Sequence, residues 1–167
     1  SVKVNAVADF ADRDAVLSAI LAWINGQFHV GPLSPNVEAI AEVQEQVMKD
    51  FDANRAINRA MVISRFSQET PWSGRQDRLN MWRTLLDEVT SHLEPEERLL
   101  GQAAIVYLTG GLPWLMMADE SGLDGDQAGR AAGWAIRTLI ADLRTRNDEA
   151  RRTGAAPRPS RQKERSS

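Results

Sequence analysis

The stretch that decides the fold runs from Leu99 to Ala118 and reads LLGQAAIVYLTGGLPWLMMA, without a charged residue. At about 100° per residue, Leu99, Val106 and Met117 fall on one side of a helix, and Leu108 and Leu115 on the opposite side. Ile105 and Met116 take a third direction, Tyr107 and Trp114 a fourth. A helix that is apolar in every direction must be covered in every direction. Pro113 has no N–H to donate and its ring crowds the preceding turn, so the spacing predicts a bend at Gly110-Gly111-Leu-Pro113. The same interruption leaves the run short of the ~20 unbroken apolar residues that a membrane-spanning helix needs.

On the C-terminal side, Asp119-Glu-Ser-Gly-Leu-Asp-Gly leads into a closing helix from Asp126 to about Arg151. Its main apolar stripe is Ala128, Ala132, Ile136, Leu139, Ile140 and Leu143. Trp134 points the other way, with Ala131, Thr138 and Ala141 near it. Both of these last helices are rich in small residues, among them Gly101, Ala104, Gly129, Ala132 and Gly133, and small side chains let helix backbones approach closely. Exposing such surfaces on a single copy invites aggregation. The expectation is a four-helix interface between the last two helices and their copies in a twofold dimer, with Leu108, Leu115, Ala131, Trp134, Thr138 and Ala141 in it.

On the N-terminal side the pattern is also helical, without strand-like alternation of useful length. Pro95 opens the apolar helix, with Glu96 and Glu97 in its first turn, where negative charge suits the helix dipole. Thr70-Pro71 starts a helix running to about His92, with Leu79, Trp82, Leu86, Val89 and Leu93 at alternating threes and fours. A short helix spans about Ala53 to Gln68. Ser34-Pro35 reads as an N-cap followed by a first helical proline, opening a helix with Val37, Ile40, Ala41, Gln44, Val47, Met48 and Phe51 on one stripe. The first amphipathic segment is Asp12 to Phe28. The expected fold is therefore all-α, a bundle of about six helices over residues 1–150, followed by a flexible basic tail over 151–167.

Composition narrows the function classes. The chain has 167 residues, 20 Lys+Arg against 23 Asp+Glu, 43% hydrophobic residues, two His and no Cys. Without Cys there are no disulfides, thiolate metal sites or Cys nucleophiles. Residues 151–167 hold six basic side chains against Glu164 alone, so the rest of the chain is acidic on balance, a poor surface for DNA phosphates. Without a signal peptide or spanning segment, the expected location is cytoplasmic.

Residues from about Leu93 to Leu143 resemble the C-terminal half of tetracycline-repressor (TetR) type transcriptional regulators. The resemblance rests on the order of features. A long helix ends at Leu93, Glu94-Pro95-Glu96-Glu97-Arg98-Leu99-Leu100 follows, and an apolar helix passes through Leu112-Pro113-Trp114-Leu115. Then come the linker Gly122-Leu123-Asp124-Gly-Asp126-Gln-Ala128, similar to the GL-(D/S)-x-(D/E)-x-A linker of many members, and a closing helix with Trp134-Ala135. The resemblance implies a ligand-responsive homodimer and repressor, with a small, largely apolar effector bound between the bundle helices. Aromatic and Met side chains with a few polar groups are the usual lining of such cavities, and the candidates here are Trp23, Phe28, Met48, Met61, Phe66, Trp82, Tyr107 and Trp114. Tyr107 is the best polar handle, with Gln102 and Thr109 near it in sequence.

The family's N-terminal helix-turn-helix is not found in this sequence. Val2 to Asp12 only faintly matches its start, and the chain begins at Ser, so the module reads as removed or lost. DNA is an expected partner only if such a module lies upstream. The alternative is a stand-alone helical binding or interaction domain that dimerises without acting on DNA.

An enzyme is the third reading and the weakest. Asp119, Glu120, Asp124 and Asp126 sit in a linker and a helix start, where capping and dipole matching account for them. Leu123 occupies a position where a calcium loop needs an oxygen ligand. Glu88-Val-Thr-Ser-His92 has the wrong spacing for a di-iron pair, and His29 and His92 read as a loop residue and a helix cap. No catalytic residue, metal ligand or cofactor is expected.

Overall fold

The structure is a computed structural model that describes residues 36–66 and 75–154. Among them are six α-helices and no strand: α1 (Ile40–Ala53), α2 (Arg55–Phe66), α3 (Arg75–Leu86), α4 (Pro95–Leu108), α5 (Gly111–Ser121) and α6 (Gly125–Thr153). A 3-10 turn, Asp87–Val89, tightens the end of α3. The all-α expectation stands.

Several boundaries differ from the sequence reading. Helix α1 starts at Ile40 rather than at Pro35, and the Asn36 side chain makes the entry turn by accepting from the Ala39 N–H at 3.0 Å. The helix expected to run to His92 ends at Leu86. Its apolar stripe nevertheless continues through the 3-10 turn, and Trp82, Leu86, Val89 and Leu93 all enter one core cluster. The helix expected to bend near Pro113 is two helices, α4 and α5, set at 64°. Pro113 sits in the first turn of α5, where its missing N–H leaves no bond unmade. Gly122 closes α5 at φ 66°, a left-handed conformation that side chains with a Cβ resist.

Helix α6 organises the rest. Its start is a capping box: the Asp124 side chain accepts from the Gln127 N–H at 2.8 Å, and the Gln127 side chain accepts from the Asp124 N–H at 3.1 Å. It continues past residue 150, the expected end of the folded body, so Arg151 and Arg152 belong to the helix rather than to a tail. Ile136, Ile140 and Leu143 join Val37, Ile40, Trp82, Leu86 and Ile105 in a first core cluster. Ala128 and Ala132, nearer its start, join Met48, Val62, Trp114 and Leu115 in a second. One long helix thus threads both halves of the core.

Helix α1 lies antiparallel along α6. Glu38, in the turn that enters α1, pairs with Arg144, and on the helix Glu45 pairs with Arg137 at 2.7 Å and Lys49 with Asp126 at 2.8 Å, so ascending positions along this segment meet descending positions on α6. The hydrogen bond from Arg144 holds the Glu38 carboxyl below its ordinary range, and that from Lys49 does the same for Asp126. These pairs are exposed and fix register more than they stabilise. The close approach comes from Gly125, Gly129 and Gly133, which share one face. A Cβ on Gly129 would lie 2.8 Å from the Glu45 carbonyl oxygen and 3.0 Å from the Glu45 Cα, so the helices touch backbone to backbone.

Two buried amides pin the corner between α3 and α4. Asn147, 5% exposed, accepts from the His92 N–H at 2.7 Å. Gln102 donates to the Thr90 hydroxyl at 2.9 Å, and that hydroxyl donates to the Leu86 carbonyl at 2.8 Å. Replacing Asn147 with Leu leaves the His92 N–H, at a part-buried site, without its acceptor. We expect Asn147→Leu to cost about 1–3 kcal/mol, measured by urea unfolding, whereas Arg137→Ala at an exposed pair costs under about 1 kcal/mol.

Candidate functional site

The candidate ligand-lining residues do not gather in one place. Met48 and Trp114 are fully buried in the second core cluster, and Phe51 meets Trp114 edge-on with ring centroids 5.5 Å apart. Trp82 lies in the first cluster. Met61 is half-buried on α2. Phe66 closes α2, but its side chain lies outside the described set, as do Trp23 and Phe28 altogether. Tyr107 is 53% exposed and faces out from α4, so its phenol needs no protein partner. Of its two polar neighbours in sequence, Gln102 turns inward to Thr90, and Thr109 donates to the Val106 carbonyl at 2.9 Å.

The cluster around Trp114 is packed and carries unspent polarity. The Trp114 Nε1, the Gln44 Nε2 and the Asn58 Oδ1 are buried without a hydrogen-bond partner among the described residues. The Asn58 amide N–H donates to the Phe51 carbonyl at 3.0 Å and so holds the turn from α1 into α2.

A concave feature among the described residues lies elsewhere, between α4 and α6. It is an open groove of about 630 Å³. Leu100, Gly101, Ala104, Leu139 and Leu143 form its apolar floor, and Glu94, Glu96, Glu97, Asp142 and Arg146 its rim at one end. Arg146 is held there by Asp142 at 2.8 Å and Glu97 at 2.9 Å, which raise its affinity for the proton further. Four carboxylates against one guanidinium leave that end acidic.

The expected interface residues divide. Leu115 is 6% exposed inside the chain's own core, and it has almost no surface left for a partner. Leu108 is partly buried against the first cluster. The four on α6 face outward: Trp134 is 68% exposed, Thr138 and Ala141 are exposed, and Ala131 is intermediate. Leu99, Leu100 and Tyr107 on α4 are each more than half exposed. Gly129 and Gly133, two of the small residues that let helix backbones approach closely, make that approach to α1. Their four-residue spacing from Gly125 was the available signal for one face; the identity of the facing helix was not.

No single helix among the described residues is long and apolar enough to cross a membrane. No family model matches the chain, and no characterised protein or solved structure matches it.

Proposed function

We propose that this chain is a helical interaction domain that works as a pair of identical copies, joined across the outward faces of α4 and α6. The observation that carries the reading is the exposed indole of Trp134, 68% in solvent, beside the uncharged Ala131, Thr138 and Ala141 of the same helix, while Leu99, Leu100 and Tyr107 stand exposed on α4. Large aromatic and aliphatic side chains left on a surface mark contact sites, and Trp and Tyr are the residues that most often dominate their energetics.

Light scattering on the purified chain tests this. The expected mass is near twice the 18.5 kDa of one chain. Trp134→Glu should weaken pairing by about 2 kcal/mol or more, roughly thirtyfold in Kd. Because Trp134 contributes nothing to the core, the variant keeps its helical circular dichroism. A monomeric parent protein, or a variant that pairs as tightly as the parent, overturns the reading.

A second reading, the ligand-sensing half of a TetR-like regulator, draws support from the order of elements. An apolar helix broken before Leu112-Pro113-Trp114, a short capped linker and a long closing helix follow one another as the resemblance implies. In this reading the effector is small and largely apolar. Native mass spectrometry separates the two: a dimer carrying small-molecule mass favours the sensor, a bare dimer the interaction domain.

A further inference from the structure

We propose that the last residues of this chain, 155–167, run back along α6 and lie in the α4–α6 groove as its resident occupant. The groove has an apolar floor, with Leu100, Ala104 and Leu139, and a volume of about 630 Å³. Leu100 is 62% exposed there. Apolar surface of this kind gains free energy when it is covered. Leu139 and Arg146 stand about 120–140° round α6 from Trp134, so the groove opens on a flank of the helix away from that indole. A tail seated in it leaves Trp134 free, whether or not two copies pair.

The acidic end of the groove is the end nearest to where the tail begins. Helices α4 and α6 run antiparallel: Glu97 meets Arg146 at 2.9 Å, and a Cβ on Gly101 would meet the Leu143 side chain. The first turn of α4 thus lies toward the C-terminal end of α6. Helix α6 ends at Thr153, and Gly154 caps it at φ 64°, a left-handed conformation that takes the chain off the helix axis. Arg146 lies about 12 Å back along the helix from Gly154. The sequence after Gly154 is AAPRPSRQKERSS, and its Pro157 and Pro159 disfavour helix and suit extended chain at about 3.1 Å per residue. At that rise Arg158 comes level with Arg146 and Glu97. The whole tail reaches about 40 Å, against about 21 Å for the length of α4.

Charge selects this occupant. Residues 155–167 carry Arg158, Arg161, Lys163 and Arg165 against Glu164. The rim of the groove carries Glu94, Glu96, Glu97 and Asp142 against Arg146. Arg146 already spans Glu97 and Asp142, so Glu94 and Glu96 hold the unbalanced charge. Glu149, exposed on the same side of α6, extends it toward the start of the tail. In extended chain with three residues per turn, Arg158 and Arg161 project to one side, where they can face these carboxylates. Ala155, Ala156, Pro157 and Pro159 supply uncharged surface for the floor. A segment tethered this closely acts at millimolar effective concentration, so contacts of millimolar strength keep the groove about half filled. Any other partner must displace the tail to enter.

The chain has no cysteine, so an introduced pair reports contact without background. Ser160→Cys in the tail is combined with Leu100→Cys in the groove, or with Glu88→Cys as the control, each in the full chain under mild oxidation. Glu88 is exposed and lies 3.6 Å from Arg144, at a similar height along α6 but on the flank opposite the groove. Leu100 is exposed as well, so both variants keep the fold, which helical circular dichroism checks. The expected result is a disulfide within one chain that forms about tenfold faster at Leu100 than at Glu88. Most of that advantage should vanish at 1 M salt, where screening acts within about 3 Å, and in the tail carrying Arg158→Glu and Arg161→Glu. Equal rates at the two positions overturn the proposal, as does an advantage that neither salt nor charge reversal reduces. A disulfide between two chains in place of one within a chain also overturns it, and gives the groove to the tail of a second copy.

Discussion

Replacing Trp114 with alanine is expected to remove about 3–5 kcal/mol of folding stability, the largest loss from any single side chain described. Trp114 is 1% exposed and sits where α1, α2, α5 and α6 meet, among Met48, Val62, Leu115, Ala128 and Ala132, with Phe51 edge-on to its ring. Four elements collapsing on one ring cannot all close the space it leaves, so the cavity cost adds to the lost burial. Trp114→Phe separates the two parts of the effect. Phenylalanine keeps most of the ring and removes an indole N–H that has no acceptor among the described residues, a burial that itself costs about 1–3 kcal/mol. The expected loss for Trp114→Phe is therefore about 2 kcal/mol or less. Urea unfolding of the two variants decides it. Equal losses would show that volume is not what Trp114 contributes.

Gly129→Val should cost about 3 kcal/mol or more and shift the melting temperature by roughly 10 °C. The first added carbon would lie 2.8 Å from the Glu45 carbonyl oxygen and 3.0 Å from the Glu45 Cα, and both are backbone atoms in the middle of α1. Backbone cannot swing aside, so α1 must lift off α6 along the contact that holds them together. Gly133→Ala is the matched control. The atoms nearest a Cβ there all belong to the Glu45 side chain, which can rotate away at the expense of an exposed pair with Arg137. Alanine also gains about 1 kcal/mol of helix propensity over glycine. The expected net change is within about 1 kcal/mol. If both substitutions were tolerated alike, the backbone contact between α1 and α6 would not be the close one described.

Much of this architecture is legible in short windows of sequence. The stripes Trp82-Leu86-Val89-Leu93 and Ala128-Ala132-Ile136-Ile140-Leu143 are buried as their spacing requires. The break at Pro113 follows from a ring and a missing N–H, and the start of α6 from Asp124 and Gln127 three residues apart. Each of these depends on neighbours within a turn or two, and the chain supplies those neighbours wherever it goes. The candidate site was less legible. The aromatic and Met residues taken as cavity lining have the same spacing whether they line a space or fill it, and Met48 and Trp114 fill it.

What the sequence determined by itself was the helical class, the inward stripes and the interruption that divides α4 from α5. What the tertiary structure decided was which partner each face meets. Gly129 faces Glu45, Asn147 takes the N–H of His92, and Gln102 turns to Thr90 rather than toward Tyr107. Leu115 goes inward while Trp134 stays in solvent, although both were equal candidates for an interface. Periodicity fixes a direction around a helix axis, because that is set by local backbone geometry. It does not fix what lies in that direction, because that depends on how distant helices share one core.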